Sequence, residues 1–320
     1  MKLGVLTVLF GQQPLEQALD YIAESGLEAV ELGSGNYTSD AHCKTSELLE
    51  NDAACKALLK AVESRGLEIT ALSCHGNPLH PNKEIARVHA DMHRKTIELA
   101  AKLGIDRVID FSGCPGEGPN AVRPNWVTCP WPPDFKEILD WQWNEVVIPW
   151  WKDDVAFAKK HKIKICIEIH PGMVVYNTET MLKLRDAVGE TIGVNFDPSH
   201  LFWQGMDPIE CIRKLGDSIY HFHAKDCKVY TQNSKLNGVL DTKPYGDEIN
   251  RSWIFRTVGY GHGYDVWKDM ISALRMVGYD DVLSIEHEDS LMSVNEGFQK
   301  AVSFLKEVMT SEGKAEMWWA

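Results

Sequence analysis

Positive charge is in short supply in this chain, with 33 lysines and arginines against 46 aspartates and glutamates and a formal net charge of −13. No Lys/Arg run creates a basic face locally, which argues against a nucleic-acid partner. Long apolar runs are missing too: nothing approaches the roughly 20 residues that a membrane helix needs, so no membrane association is expected. The opening MKLGVLTVLFGQQP meets Gln-Gln-Pro rather than a small-residue cleavage site and reads as a buried first strand. The eight cysteines, at 43, 55, 74, 114, 129, 166, 211 and 227, form no C-x-x-C pair, and several lie in apolar segments. They read as reduced thiols of a cytoplasmic protein. Repeats, low-complexity stretches and a domain linker are also lacking.

What is present is an alternation. Short Val/Ile/Leu-rich runs are separated by longer amphipathic segments, the pattern of parallel strands joined by crossover helices. The strand candidates are Leu3 to Phe10, Glu28 to Leu32, Glu68 to Cys74, Arg107 to Ser112, Lys164 to Ile169, Gly193 to Asp197, Tyr220 to Ala224 and Val282 to Glu286, eight in all. In PLEQALDYIAESG, Leu15, Ala18, Leu19 and Ile22 share one helical face, and Gly26 suits a left-handed C-terminal position. A doubly wound sheet would also alternate, but it normally follows its first strand with a Gly-rich phosphate loop, and LFGQQP is not one. The expectation is a single (β/α)8 TIM barrel over residues 1–309, with a tail at 310–320. Its long connections run from about Gly113 to Pro133 after the fourth strand and from about Cys227 to Val258 after the seventh. Both follow the C-terminal ends of strands, where barrel active sites lie.

Four strand ends carry metal-competent side chains. ICIEIHP supplies Glu168, VNFDPSH Asp197, YHFHAKD His223 and LSIEHED Glu286, from the fifth to eighth strands. Alone, each carboxylate could be a helix cap or the partner of an arginine. On four consecutive staves they converge, and three carboxylates held together would repel or protonate without a cation. One divalent ion is therefore expected, with an oxygen-rich set that suits Mn2+ best and Mg2+, Co2+ or Zn2+ as alternatives. His221 shares the face of His223 one pleat deeper and competes with it as a ligand. His170 and His287 follow candidate ligands and are expected to be turned aside by strand alternation.

E-x-H-P, D-P-S-H, H-x-K-D and I-E at these four strand ends resemble the xylose-isomerase-like sugar isomerase/epimerase superfamily, and the similarity spans the barrel. The resemblance implies that Glu168, Asp197, His223 and Glu286 ligate the metal. It also implies that the two glutamates carry protons and that His200 contacts substrate or supports a ligand. The superfamily's endonuclease IV branch needs a further histidine on the fourth strand, where this chain has Phe-Ser-Gly; with the acidic charge, that departure argues against a repair nuclease. The activity implied is isomerisation or epimerisation of a ketose or keto-sugar through an enediolate. The alternative is β-elimination from a 3-keto glycoside, as in barrel subunits of C-glycoside deglycosidases, within a hetero-oligomer. A barrel retained to bind sugar or scaffold a partner is a third class.

Further substrate contacts are expected at His75, Lys225 and Arg256, and at Trp126 and Trp131, the best placed of six tryptophans between positions 126 and 151. The other four suit a subunit interface, as does the terminal Met-Trp-Trp-Ala, so a homo- or hetero-oligomer is expected. With Lys225 and Arg256 as the cations near the strand ends, a non-phosphorylated sugar is favoured.

Overall fold

A computed structural model describes residues 1–317 and 319. Eight parallel strands close into a barrel: β1 (Lys2–Leu6), β2 (Ala29–Gly33), β3 (Glu68–Ser73), β4 (Arg107–Phe111), β5 (Lys164–Glu168), β6 (Ile192–Phe196), β7 (Ile219–Ala224) and β10 (Val282–Ile285), which pairs with both β7 and β1. Strand alternation divides their side chains. Leu72, Val108, Ile165, Ile167 and Val194 are fully buried in the main core that joins strands to helices, whereas Ala71, Ile109 and Cys166 form a separate small cluster. These three share parity with Ser73, Phe111 and Glu168, so they fill the barrel interior beneath its polar upper end. Gly193 permits close packing beside β7: a Cβ there would stand 2.2 Å from the Tyr220 ring and 2.5 Å from the Ser218 carbonyl oxygen.

The first helix, Leu15–Glu24, buries Ala18, Leu19 and Ile22 and is followed by Gly26 at φ +74°, as its spacing predicts. Two expectations need correction. The first strand stops at Leu6, and Thr7–Phe10 form a 3-10 turn instead of continuing it. The connection after β7 is no bare loop: β8 (Asp226–Val229) and β9 (Trp253–Arg256) pair antiparallel, with a helix at Thr231–Asn237 between them. The other long connection, after β4, is pinned by Gln142, whose Nε2 donates to the carbonyls of Pro115, Gly116 and Asn125 at 3.3, 3.1 and 2.7 Å.

Trp143 and Trp151 lie in the core, so the subunit interface expected for them is not where they sit. Of the terminal Met-Trp-Trp-Ala, Trp318 and Ala320 lie outside the described residues, while Met317 and Trp319 are exposed. All eight cysteines carry free thiols, seven buried and Cys129 exposed. Among the described residues no helix is long and apolar enough to cross a membrane.

Candidate metal centre and active site

Glu168 ends β5, and the register pairs it with Phe111 on one side and Asn195 on the other. Asp197 lies one residue past β6 and caps the short helix Pro198–Phe202: its Oδ1 accepts the Ser199 N–H at 2.8 Å. The cap leaves Oδ2 buried without a hydrogen-bond donor and 3.3 Å from His200 Nε2. The helix-cap reading of Asp197 thus holds for Oδ1, and Oδ2 is left over for another partner. His223 lies on β7, and Glu286 lies one residue past β10. One donor atom from each of Glu168, Asp197, His223 and Glu286 falls within 4.8 Å of the others.

The imidazole of His223 is oriented from below. Its Nε2 donates to both oxygens of Glu31, each 3.0 Å away, which leaves Nδ1 facing Glu168 Oε2 and Glu286 Oε2 at 3.1 Å each. Glu31, on β2, is wholly buried and also accepts from Ser284 Oγ at 2.7 Å and from Ser73 Oγ. Burial alone would raise its pKa, but the His223 and His221 imidazoles and these hydrogen bonds outweigh burial and hold it at about 2. A carboxylate behind an imidazole that turns its other nitrogen into a carboxylate cluster is a recurrent arrangement behind metal-ligating histidines.

The remaining groups complete a polar floor. His75 Nε2 donates to Glu168 Oε2 at 2.8 Å, and Asn195 Nδ2 donates to the same oxygen at 2.9 Å. His200 Nε2 lies 3.5 Å from Glu168 Oε1. Lys225 Nζ sits 3.2 Å from Glu286, 2.8 Å from Glu288 and 3.7 Å from Asp197, and 4.4 Å from the centre of the Phe255 ring. Burial opposes its charge, but the facing carboxylates keep Lys225 protonated well above the ordinary lysine range. For Glu286, Lys225 and His223 outweigh burial and hold the carboxyl low, whereas burial pushes Asp197 up.

These residues fit a divalent cation. Asp197 Oδ2, His200 Nε2, His223 Nδ1 and Glu286 Oε2 are buried and lack hydrogen-bond partners, and all four belong to residues that ring the same spot. Three carboxylates and one imidazole make an open, oxygen-rich donor set.

The floor opens into a cavity of about 560 Å³. His75, Glu168, His170, Lys225, Glu286 and Glu288 line it on the polar side, and Tyr37, Phe111, Tyr245 and Phe255 supply aromatic walls. Several expected contacts lie elsewhere. Trp131 is 73% exposed and Trp126 packs on Tyr176; neither lines the cavity. Arg256 is turned to Asp289, 3.0 Å away, and is likewise absent from the lining. His221 sits deeper, with Nδ1 donating to Asn195 Oδ1 at 2.9 Å, and burial lowers its pKa to about 4. His287 is turned aside as expected, but His170 is not. Ile169 separates it from Glu168, so alternation returns His170 to the same side as Glu168, where its ring centre lies 4.1 Å from that of His200. Glu31 and Asn195 went unread because a single polar residue in a buried strand carries no local signal of its partner.

A model of the xylose isomerase-like TIM barrel family matches residues 19–308. The chain belongs to this family. Over 313 residues it is 40% identical to the uncharacterized protein YfiH of Bacillus subtilis strain 168, covering 97% of this chain and 100% of that one. Among solved structures it resembles the IolI protein with a bound zinc atom, at a TM-score of 0.66 and 18% identity, covering 98% and 100% of the two chains. It also resembles the probable 3-DHS dehydratase AsbF of Bacillus anthracis, at a TM-score of 0.66 and 16% identity, covering 96% and 99%. At those identities the two structures speak for the xylose isomerase-like fold alone.

Proposed function

We propose that this member of the family is a divalent-metal-dependent isomerase or epimerase of a non-phosphorylated ketose or keto-sugar, acting through an enediolate. One observation carries the reading: Glu168 and Glu286 line the same cavity and both offer an oxygen to the one donor cluster. A bound divalent ion would supply positive charge beside a substrate carbonyl oxygen, which acidifies the neighbouring C–H. Glu286 suits the base, since it is the more open of the pair, with 19% of its side chain exposed against 3% for Glu168, and is kept ionised by Lys225 and His223. Glu168, held by His75 and Asn195, suits the partner that returns the proton from the other side. Return to the opposite face of the same carbon is epimerisation, and return to the adjacent carbon is isomerisation. Lys225 is the cation on the cavity wall and is already matched by Glu286 and Glu288, which leaves little for a phosphate. AsbF and the IolI zinc protein are compatible with this chemistry, one named as a dehydratase and the other for its metal.

Lys225 favours a second outcome of the same enolate. An ammonium on the cavity wall 3.2 Å from the base could protonate a leaving oxygen, so a 3-keto glycoside would be cleaved by elimination. Incubation with a panel of ketoses and 3-keto glycosides in deuterated water, with metal analysis, separates the two. Deuterium in recovered ketose without loss of an aglycone supports the first reading and aglycone release with no epimer the second. Glu286→Gln should abolish exchange with the fold retained, and a fully active variant would refute the assignment of the base.

A further inference from the structure

A chain of buried charge lies behind the site, on the side away from the cavity. Asp110, His93 and Asp154 are each fully buried: His93 Nδ1 is 2.7 Å from Asp110 Oδ2, its Nε2 is 2.7 Å from Asp154 Oδ2, and Arg94 Nε reaches Asp154 Oδ1 at 3.1 Å. Charged groups among the Trp150 and Trp151 rings are costly unless each is satisfied, so stability alone gives poor reason for placing them there. Asp110 has a second duty. Its Oδ1 accepts the Gly76 N–H at 2.6 Å and the Phe111 N–H at 2.7 Å. His89, four residues before His93 and so about one turn away on the helix Lys83–Leu103, accepts the next N–H, that of Asn77, on Nδ1 at 2.8 Å. Consecutive backbone N–H groups of the loop after β3 are thus held by Asp110, which His93 backs, and by His89 directly, and the residue just before those groups is His75.

We propose that His89 and His93 are positioning residues which clamp the Gly76–Asn77 backbone, His93 through Asp110, and so aim His75 Nε2 at Glu168. The clamp follows from the contacts alone. Its bearing on catalysis rests on the function proposed above, through Glu168. Asp154, itself tied to Arg94, takes His93 Nε2 while Asp110 Oδ2 stands 2.7 Å from Nδ1, so the ring is held between two carboxylates and the network does more than fill space. Burial lowers the His89 pKa, which suits a neutral ring whose Nδ1 accepts a hydrogen bond.

The test reads His75 directly. The full chain, labelled with 15N-histidine and supplied with Zn2+, gives ring-nitrogen signals for its 12 histidines, and that of His75 is assigned by its loss in His75→Gln. In His93→Gln and His89→Ala the His75 signals should shift or broaden, and deuterium exchange into substrate should fall by about 10- to 100-fold with metal content unchanged. Leu305→Ala, in a helix packed against the barrel far from the loop, provides a variant destabilised without any link to it and should leave the His75 signals in place. His75 signals at wild-type positions in both histidine variants would overturn the proposal; should His93→Gln fail to fold, the half-buried His89 decides the question alone. The NMR result stands whether or not the wild type catalyses exchange, so failure of the functional reading is seen separately.

Discussion

Glu31→Gln isolates the charge behind the His223 imidazole. The carboxylate accepts from His223 Nε2 through both oxygens at 3.0 Å, from Ser284 Oγ at 2.7 Å and from Ser73 Oγ. A glutamine of nearly the same shape keeps a carbonyl for the imidazole N–H, and its amide can donate to a serine hydroxyl that rotates to accept. The second amide hydrogen meets the His223 N–H without an acceptor, a local cost that the barrel should survive with its fold intact. What is lost is the negative charge that makes His223 a stronger donor and fixes its tautomer. Removal of such a partner typically weakens metal binding by about 10- to 100-fold, which corresponds to about 1.4–2.8 kcal/mol. Zinc titration against a chromophoric chelator measures the affinity, and circular dichroism verifies the fold. Binding within about twofold of wild type, with an unchanged spectrum, would refute the claim that Glu31 supports His223 as a ligand; it would fit instead a His223 that merely bridges carboxylates as an imidazolium.

Other outcomes follow from the same geometry. The pKa of His93 is raised to about 10 because its two aspartate partners outweigh burial. The folded chain therefore keeps a proton that the unfolded chain gives up near pH 6.5, and the stability this contributes is fully present below that pH and lost as pH rises through about 10. Thermal unfolding between pH 6.5 and 10 should show this slope in the wild type and a shallower one in His93→Gln; equal slopes would count against a charged His93. Phe255→Ala removes a cavity wall and should raise KM, whereas Trp131→Ala, exposed and off the cavity, should leave it unchanged, as steady-state kinetics on any substrate found would show. Gly193→Ala would drive a Cβ into Tyr220 and the Ser218 carbonyl and should cost at least about 1–3 kcal/mol in urea unfolding.

The eight staves are legible because parallel strands buried on both sides must be apolar almost throughout. Their limits are less so. Thr-Val-Leu-Phe at positions 7–10 has strand-forming residues, yet the barrel wall ends at Leu6 and the chain must turn over the rim. The β8–β9 hairpin was hidden because its two four-residue strands are separated by 23 residues of polar sequence. The four ligand candidates could be found because a charged residue at the end of an apolar run stands out. Glu31, Asn195 and His93 could not, since each matters through a partner on another element, and long-range pairing leaves no mark on local sequence. The tryptophans misled for the opposite reason: their composition suggests a sugar platform, but Trp131 points outward and Trp143 and Trp151 fill the core.

Charge balance joins these levels. Glu168, Asp197, Glu286 and Glu288 gather at the C-terminal end of the barrel around Lys225, the buried lysine of the cavity wall, and Glu31 lies behind His223. The surrounding histidines offset the deficit only by binding protons, and a proton on His223 Nδ1 would have to serve both Glu168 and Glu286 at 3.1 Å from each. A divalent ion would resolve the conflict, since one centre could meet several oxygens and leave the imidazole neutral. In the proposed reaction the same ion would acidify the C–H beside a substrate carbonyl. On the proposed function, the acidic cluster that would strain the fold when empty is also the feature that would carry the chemistry, and so metal affinity and exchange activity should fall together when any of the four donor residues is replaced.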